Sequence, residues 1–211
     1  MNRSILILIA AAFFAGSACQ PPAPTANRTA PQNPASSPQN IVVPEVAPTP
    51  TPNLTGMESA FTDIEAGKCK TGESNKKEGW SIRLCEGFAG YRFEVYQDEI
   101  RQSMNVISPT GEKSELDFQT LVAGGHSTFA QSVEWRYKKI DGKPVPMSFM
   151  VQFNSNDPKA DMKSTPLWVV VKVSPAGSCI TDVVANSPTQ VEEARAFADN
   201  IEPRPCRTAN Q

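Results

Sequence analysis

The sequence predicts an α+β domain: a curved antiparallel β-sheet, built as a meander, with a short N-terminal helix and a C-terminal helix packed on one face. Three observations predict it. Short segments alternate apolar and polar residues with the period of a half-buried strand. Turns bearing glycine and proline separate those segments. The last segment changes to the period of an amphipathic helix.

Met57 to Ala66 places Met57, Ala60, Phe61 and Ile64 on one helical face and ends at Gly67, a C-cap residue, which predicts the lead-in helix. Trp80 to Cys85 begins the strands. In Tyr91 to Tyr96, Tyr91, Phe93 and Val95 point one way and Arg92 and Glu94 the other. After Asp98-Glu99 the alternation resumes with Ile100, Gln102, Met104 and Val106, and Ser108-Pro109-Thr110-Gly111 turns the chain toward Leu116 and Phe118. Val133, Trp135 and Tyr137 then alternate with Glu134, Arg136 and Lys138. Beyond Asp141-Gly142, Val145, Met147, Phe149, Val151 and Phe153 alternate again, which predicts a β-hairpin. Leu167 to Val173 is nearly all apolar and reads as a central strand covered on both faces. Pro175-Ala176-Gly177-Ser178 returns it antiparallel into Cys179 to Ala185. Ser187 with Gln190 forms a capping box, Pro188 takes the first helical position, and Val191, Ala194, Phe197, Ala198 and Ile201 form the apolar stripe of the last helix before Pro203.

Ahead of this domain lies an export signal. Asn2 and Arg3 supply a positive start, Ile5 to Phe14 an apolar stretch too short to cross a bilayer, and Ala15 to Ala18 small residues ahead of Cys19. The pattern resembles a lipoprotein signal, with Gly16 where leucine is usual. It implies a signal peptide over 1–18 and lipid on Cys19; an ordinary cleavage releasing a soluble periplasmic or secreted form is the alternative. With Gln20 after the cysteine, the resemblance implies delivery to an outer membrane. The segment 19–56 is rich in proline, alanine, threonine and asparagine and carries little charge beyond Arg28 and Glu45, which predicts a disordered, extended tether. The single disulfide-bonded domain is expected over 57–207, with a tail at 208–211.

Charge excludes one class of partner. With 20 basic and 22 acidic residues the chain has no basic field for nucleic acid, and Lys76-Lys77 and Lys138-Lys139 read as solvated faces. Of five cysteines, Cys19 stands apart and four fall in the domain, an even set expected to close two disulfides. Three pairings are open. The preferred one joins Cys69 to Cys85 and Cys179 to Cys206, because an antiparallel return helix brings the ends of the second pair together. A zinc site from all four lacks the usual CxxC spacing.

Phe61-Thr62-Asp63-Ile64 ahead of Cys69, Trp80 before Cys85-Glu86-Gly87, Gly90-Tyr91, Ile100-Arg101-Gln102-Ser103, Val133-Glu134-Trp135-Arg136, Asp141-Gly142-Lys143-Pro144, and Cys179 with Cys206 span nearly the whole domain. In these motifs the chain resembles a family of uncharacterised exported proteins of proteobacteria. The resemblance implies a small extracytoplasmic domain with a disulfide framework, and it carries no activity and no functional residue.

Catalytic signatures are sparse. His126 is the one histidine, with no Gly-x-Ser-x-Gly elbow to accompany it, and neither phosphate-loop nor dinucleotide fingerprints occur. No cofactor or metal is expected. Asp98, Glu99 and Glu134 are the carboxylates weighed for glycan cleavage, but a turn and a wet strand face offer no apolar pocket to raise a pKa. Glu134 and Arg136 read as a charge ladder on the wet face, Trp135 and Tyr137 as core. Gly124, Gly125, His126 and Ser127 form a polar, glycine-loosened loop and are the candidate partner contact. The expected function is that of a lipid-anchored, non-catalytic envelope module binding a protein, peptide or cell-wall partner; the alternative is a cell-wall glycan hydrolase or an inhibitor of one.

Overall fold

The computed structural model describes residues 56–156 and 163–209. The leader over 1–18 and all but the last residue of the tether over 19–56 lie outside the described residues. The elements run β1 (Glu58–Asp63), β2 (Lys70–Asn75), β3 (Trp80–Glu86), β4 (Arg92–Gln97), β5 (Gln102–Ile107), β6 (Lys113–Leu116), α1 (Phe118–Leu121), β7 (His126–Ile140), β8 (Lys143–Asn156), β9 (Ser164–Lys172), β10 (Cys179–Val184) and α2 (Gln190–Asp199).

These strands form two antiparallel five-stranded sheets rather than one curved meander. The first has the order β1-β7-β8-β9-β10 and the second β2-β3-β4-β5-β6. The chain starts in the first sheet, crosses to the second after a 3-10 turn at Ala66–Lys68, and returns through α1. Each sheet needs a cover for its apolar face, and here each covers the other. Trp135 and Phe149 of the first sheet meet Phe93 of the second, with ring centroids 5.2 Å apart in both pairs, while Phe118 from α1 packs on Phe129 and Phe153. All of these except Phe129 are fully buried.

The predicted lead-in helix over Met57 to Ala66 is instead the edge strand β1. Its apolar residues sit at helical spacing, but the register Ala60↔Trp135 and Thr62↔Val133 pairs it with β7, and Thr62 Oγ1 accepts from Trp135 Nε1 at 2.8 Å. A ladder along a neighbouring strand outweighs the weak preference of so short a segment for a helix.

The β7–β8 hairpin forms as predicted. Asp141 at φ 50° and Gly142 at φ 74° both adopt the left-handed conformation that a two-residue turn of this kind requires. β9 lies between β8 and β10; Val169 and Val171 enter the core between the sheets, while Val170 joins Met150 and Val184 under α2. That apolar strand is therefore covered on both faces, as its composition predicts. The stripe of α2 packs where expected, with Ala194 and Ala198 fully buried. Its start differs. The helix begins at Gln190 with Thr189 as N-cap, so Pro188 precedes it; Ser187 contributes its carbonyl to Gln190 N–H rather than a hydroxyl cap. The reciprocal capping box is absent, and both Ser187 Oγ and Gln190 Oε1 are buried without a partner.

Both disulfides close in the preferred pairing, Cys69–Cys85 and Cys179–Cys206. The first ties the entry of β2 to β3 rather than a helix to a strand. The second ties β10 to the segment after α2. They fit an oxidising, exported compartment. Among the described residues no helix is long and apolar enough to cross a membrane.

Candidate binding face

The segment singled out by its glycines leads from α1 into β7. Gly124 and Gly125, the latter at φ 102°, link α1 to β7, and His126 and Ser127 already belong to that strand, opposite Asn156 and Ser155. Ser127 is buried. Its N–H donates to Ile100 O at 2.8 Å, and its hydroxyl lies 3.4 Å from Gln102 N and 3.5 Å from Gln119 Nε2, which places it between the sheets. Ser127 is therefore interior rather than part of an exposed polar loop. Because neighbours along a strand point to opposite faces, His126 and Ser127 are also badly placed to act as base and nucleophile.

Of the carboxylates weighed for catalysis, Glu99 is exposed on its turn, and Asp98 and Glu134 are engaged in the fold. Asp98 Oδ1 accepts the N–H groups of Ile100 and Arg101 at 3.0 and 2.7 Å and so shapes its turn. Glu134 and Arg136 do not form a wet charge ladder: they are 3% and 8% exposed, because α2 lies across this face. Arg195 Nε and Nη2 reach the two Glu134 oxygens at 3.0 and 3.1 Å, Ser59 Oγ donates to Oε1 at 2.8 Å, and Arg136 clasps Asp199 at 2.6 and 2.9 Å. The hydrogen bond to Glu134 holds the Arg195 guanidinium above its ordinary range. This is a structural clamp between strand and helix, and each carboxylate in it is held by an arginine. A cavity of about 100 Å³ beside it is lined in part by Lys138, Asp199 and Glu202; Asp199 is held by Arg136, and Glu202 lies 3.5 Å from Lys138. No group of three histidine, cysteine or acidic side chains suited to a metal occurs among the described residues.

The feature that sequence reasoning missed is on β3. Its inward row is Ser81, Arg83 and Cys85, since Arg83 pairs with Val95 and Cys85 with Phe93, both core residues. The outward row is therefore Trp80, Ile82 and Leu84. An ordinary sandwich strand turns its apolar row inward and its polar one outward; β3 turns an apolar row outward, with Trp80 and Ile82 half-buried and Leu84 exposed, while Ser81 and Arg83 of its inward row are half-buried. The inward polar groups are partly satisfied: Arg83 Nη1 donates to Gln97 Oε1 at 2.8 Å, Gln102 Nε2 donates to the same oxygen at 3.1 Å, and Gln102 Oε1 accepts Phe129 N–H at 2.8 Å, while Arg83 Nε is buried without a partner. Burial lowers the Arg83 pKa.

Tyr96 of the central strand β4 lies across from Ile82 and extends the outward row; its ring is 6.2 Å from that of Trp80 with 27° between the planes. Leu84 is 40% and Tyr96 36% exposed. Glu78 anchors the Trp80 indole N–H at 2.9 Å, and Lys113 and Glu94, 2.5 Å apart, border the patch. The helix α2, which covers β8, β9 and β10 of the first sheet, has no counterpart on this face among the described residues. In sequence Trp80, Ile82 and Leu84 look like a core row. The signal that could have corrected this is Cys85, whose disulfide to Cys69 in the core fixes the opposite parity as the inner one.

No family model, no curated protein and no solved structure matches the chain.

Proposed function

We propose that this domain is a non-catalytic binding module of the cell envelope, held by lipid on Cys19 and a proline-rich tether, that captures a protein partner through the outward row of β3. The observation that carries the reading is the reversed alternation of that strand. A contiguous apolar patch on a monomer marks an interaction surface, whereas scattered apolar residues do not. Aromatic side chains with one polar end are the residues such surfaces favour, and Trp80 and Tyr96 fit that description. Ile82 and Leu84 between them favour an apolar protein surface over a sugar, which is bound by aromatic rings interleaved with polar groups. The engagement of Glu134, Asp98, Asp199 and Glu202 supports binding over glycan hydrolysis.

Photo-crosslinking in the intact envelope tests it. A photoreactive residue at position 84 or 96 is expected to trap a discrete partner, while one at Glu115, exposed on β6, traps little. The double variant Ile82→Lys and Leu84→Lys should abolish capture with an unchanged melting temperature. Adducts that form from other surfaces but never from positions 84 and 96 would sink the reading.

A further inference from the structure

Four strands lie at sheet edges, and the fold treats them unequally. An exposed edge is a row of unpaired N–H and C=O groups that templates another strand, so edges are normally blunted by bulges, lysines, short length or a covering segment. Three of the four are. β10 carries a bulge between Ile180 and Asp182, and the C-terminal segment covers it: Arg207 N–H donates to Ile180 O at 2.8 Å, Arg204 pairs with Asp182, and Cys206 is bonded to Cys179. β2 is bulged between Thr71 and Ser74 and begins at Lys70. β6 has four residues and starts at Lys113, and its Ser114 Oγ accepts the Ser178 N–H at 2.8 Å.

Among the described residues β1 has none of these devices. Its ladder with β7 runs from Glu58 to Asp63 without a register shift, it contains neither lysine nor proline, and Phe61 at its middle is 63% exposed. Ile64 N–H donates to Gln131 O at 2.8 Å, which sets the phase of the ladder. Alternate residues of an antiparallel strand turn their backbone groups to opposite sides. Thr62 and Ala60 therefore bond toward β7, while Ser59, Phe61 and Asp63 direct both N–H and C=O to the open edge.

We propose that β1 pairs antiparallel with β1 of a second copy of this chain, with Phe61 opposite Phe61 on the two-fold axis. That register is self-complementary. Phe61 faces its symmetry mate and Ser59 faces Asp63, so every outward backbone group of the three residues finds a partner. Like charges do not oppose each other, because Asp63 meets Ser59 and Glu58 meets Ile64. Residues of equal parity are matched, so the two first sheets continue into one and both α2 helices fall on the same side. A two-fold pairing of one patch with itself is the commonest form of closed association. The edge is independent of the β3 face, which belongs to the other sheet.

The test is sedimentation equilibrium of the exported chain carrying Cys19→Ser, so that lipid drives no association, with amide hydrogen exchange across the same concentrations. A reversible dimer is expected, with the Ser59, Phe61 and Asp63 amides exchanging more slowly as it forms. Phe61→Lys should weaken the dimer by at least about tenfold. Asp63→Pro should do the same, and because the Asp63 N–H faces outward it removes no bond to β7. Melting curves for both variants check that the fold is intact. A monomer at every concentration overturns the proposal. So does a dimer that both variants leave unchanged and Leu84→Lys disrupts, which would place the contact on β3.

Discussion

Gly87 shows how little room the core leaves at a single residue. A Cβ there would lie 2.6 Å from the Tyr91 carbonyl oxygen and 2.9 Å from the Trp135 ring, and neither can move: one is backbone, the other a fully buried indole. Gly87→Ala is expected to destabilise the domain by about 1–3 kcal/mol, read as a lower denaturant midpoint with little change in slope. Glu134 is constrained by charge rather than by volume. Glu134→Ala leaves Arg195 without its bidentate partner and should cost about 1–3 kcal/mol; a double-mutant cycle with Arg195→Ala isolates the pair, and additive losses would refute the clamp. At the surface, Lys139 and then Tyr137 hydrogen-bond Glu58 and hold its carboxyl below the ordinary range. A group depressed in this way contributes above its unfolded pKa and loses that contribution as pH falls through the folded value. Lys139→Ala should therefore raise the Glu58 titration midpoint followed by NMR.

Among the elements, α2 joins its sheet by an apolar stripe, by the Glu134–Arg195 and Arg136–Asp199 pairs, and by Ser148 Oγ donating to Ala198 O at 2.7 Å. The segment beyond it is tied down by Cys179–Cys206 and by Lys172 Nζ, 3.1 Å from the Glu202 carbonyl oxygen. Replacing both Cys179 and Cys206 with serine is expected to cost roughly 2–4 kcal/mol by releasing the unfolded chain. It should also raise exchange at β10, whose edge that segment covers. α2, β9 and the β7–β8 hairpin were legible in the sequence because each has a long periodic signal or a turn that only particular residues permit. β1 was not. Six residues hold too few turns to separate helical from strand spacing, and its strand state depends on β7, some seventy residues away.

For the molecule as a whole, the tether reading predicts that Cys19→Ser releases the domain from membranes, and equal retention of variant and parent in membrane fractions would count against lipidation. The sequence alone determined the period of most strands, the site of the Asp141-Gly142 turn, the stripe of α2 and an even set of cysteines in the domain, all of which are local properties. Only the tertiary structure decided that the strands divide into two sheets, that Glu134 and Arg136 are covered by α2, that Ser127 is interior, and that β3 places Trp80, Ile82 and Leu84 on its outward face. The reason is a symmetry of the strand itself. A period of two sorts residues into two rows without saying which row is inside, and that choice is made by what lies across the strand: the Cys69–Cys85 bond and Phe93 for β3, the return of α2 for β7.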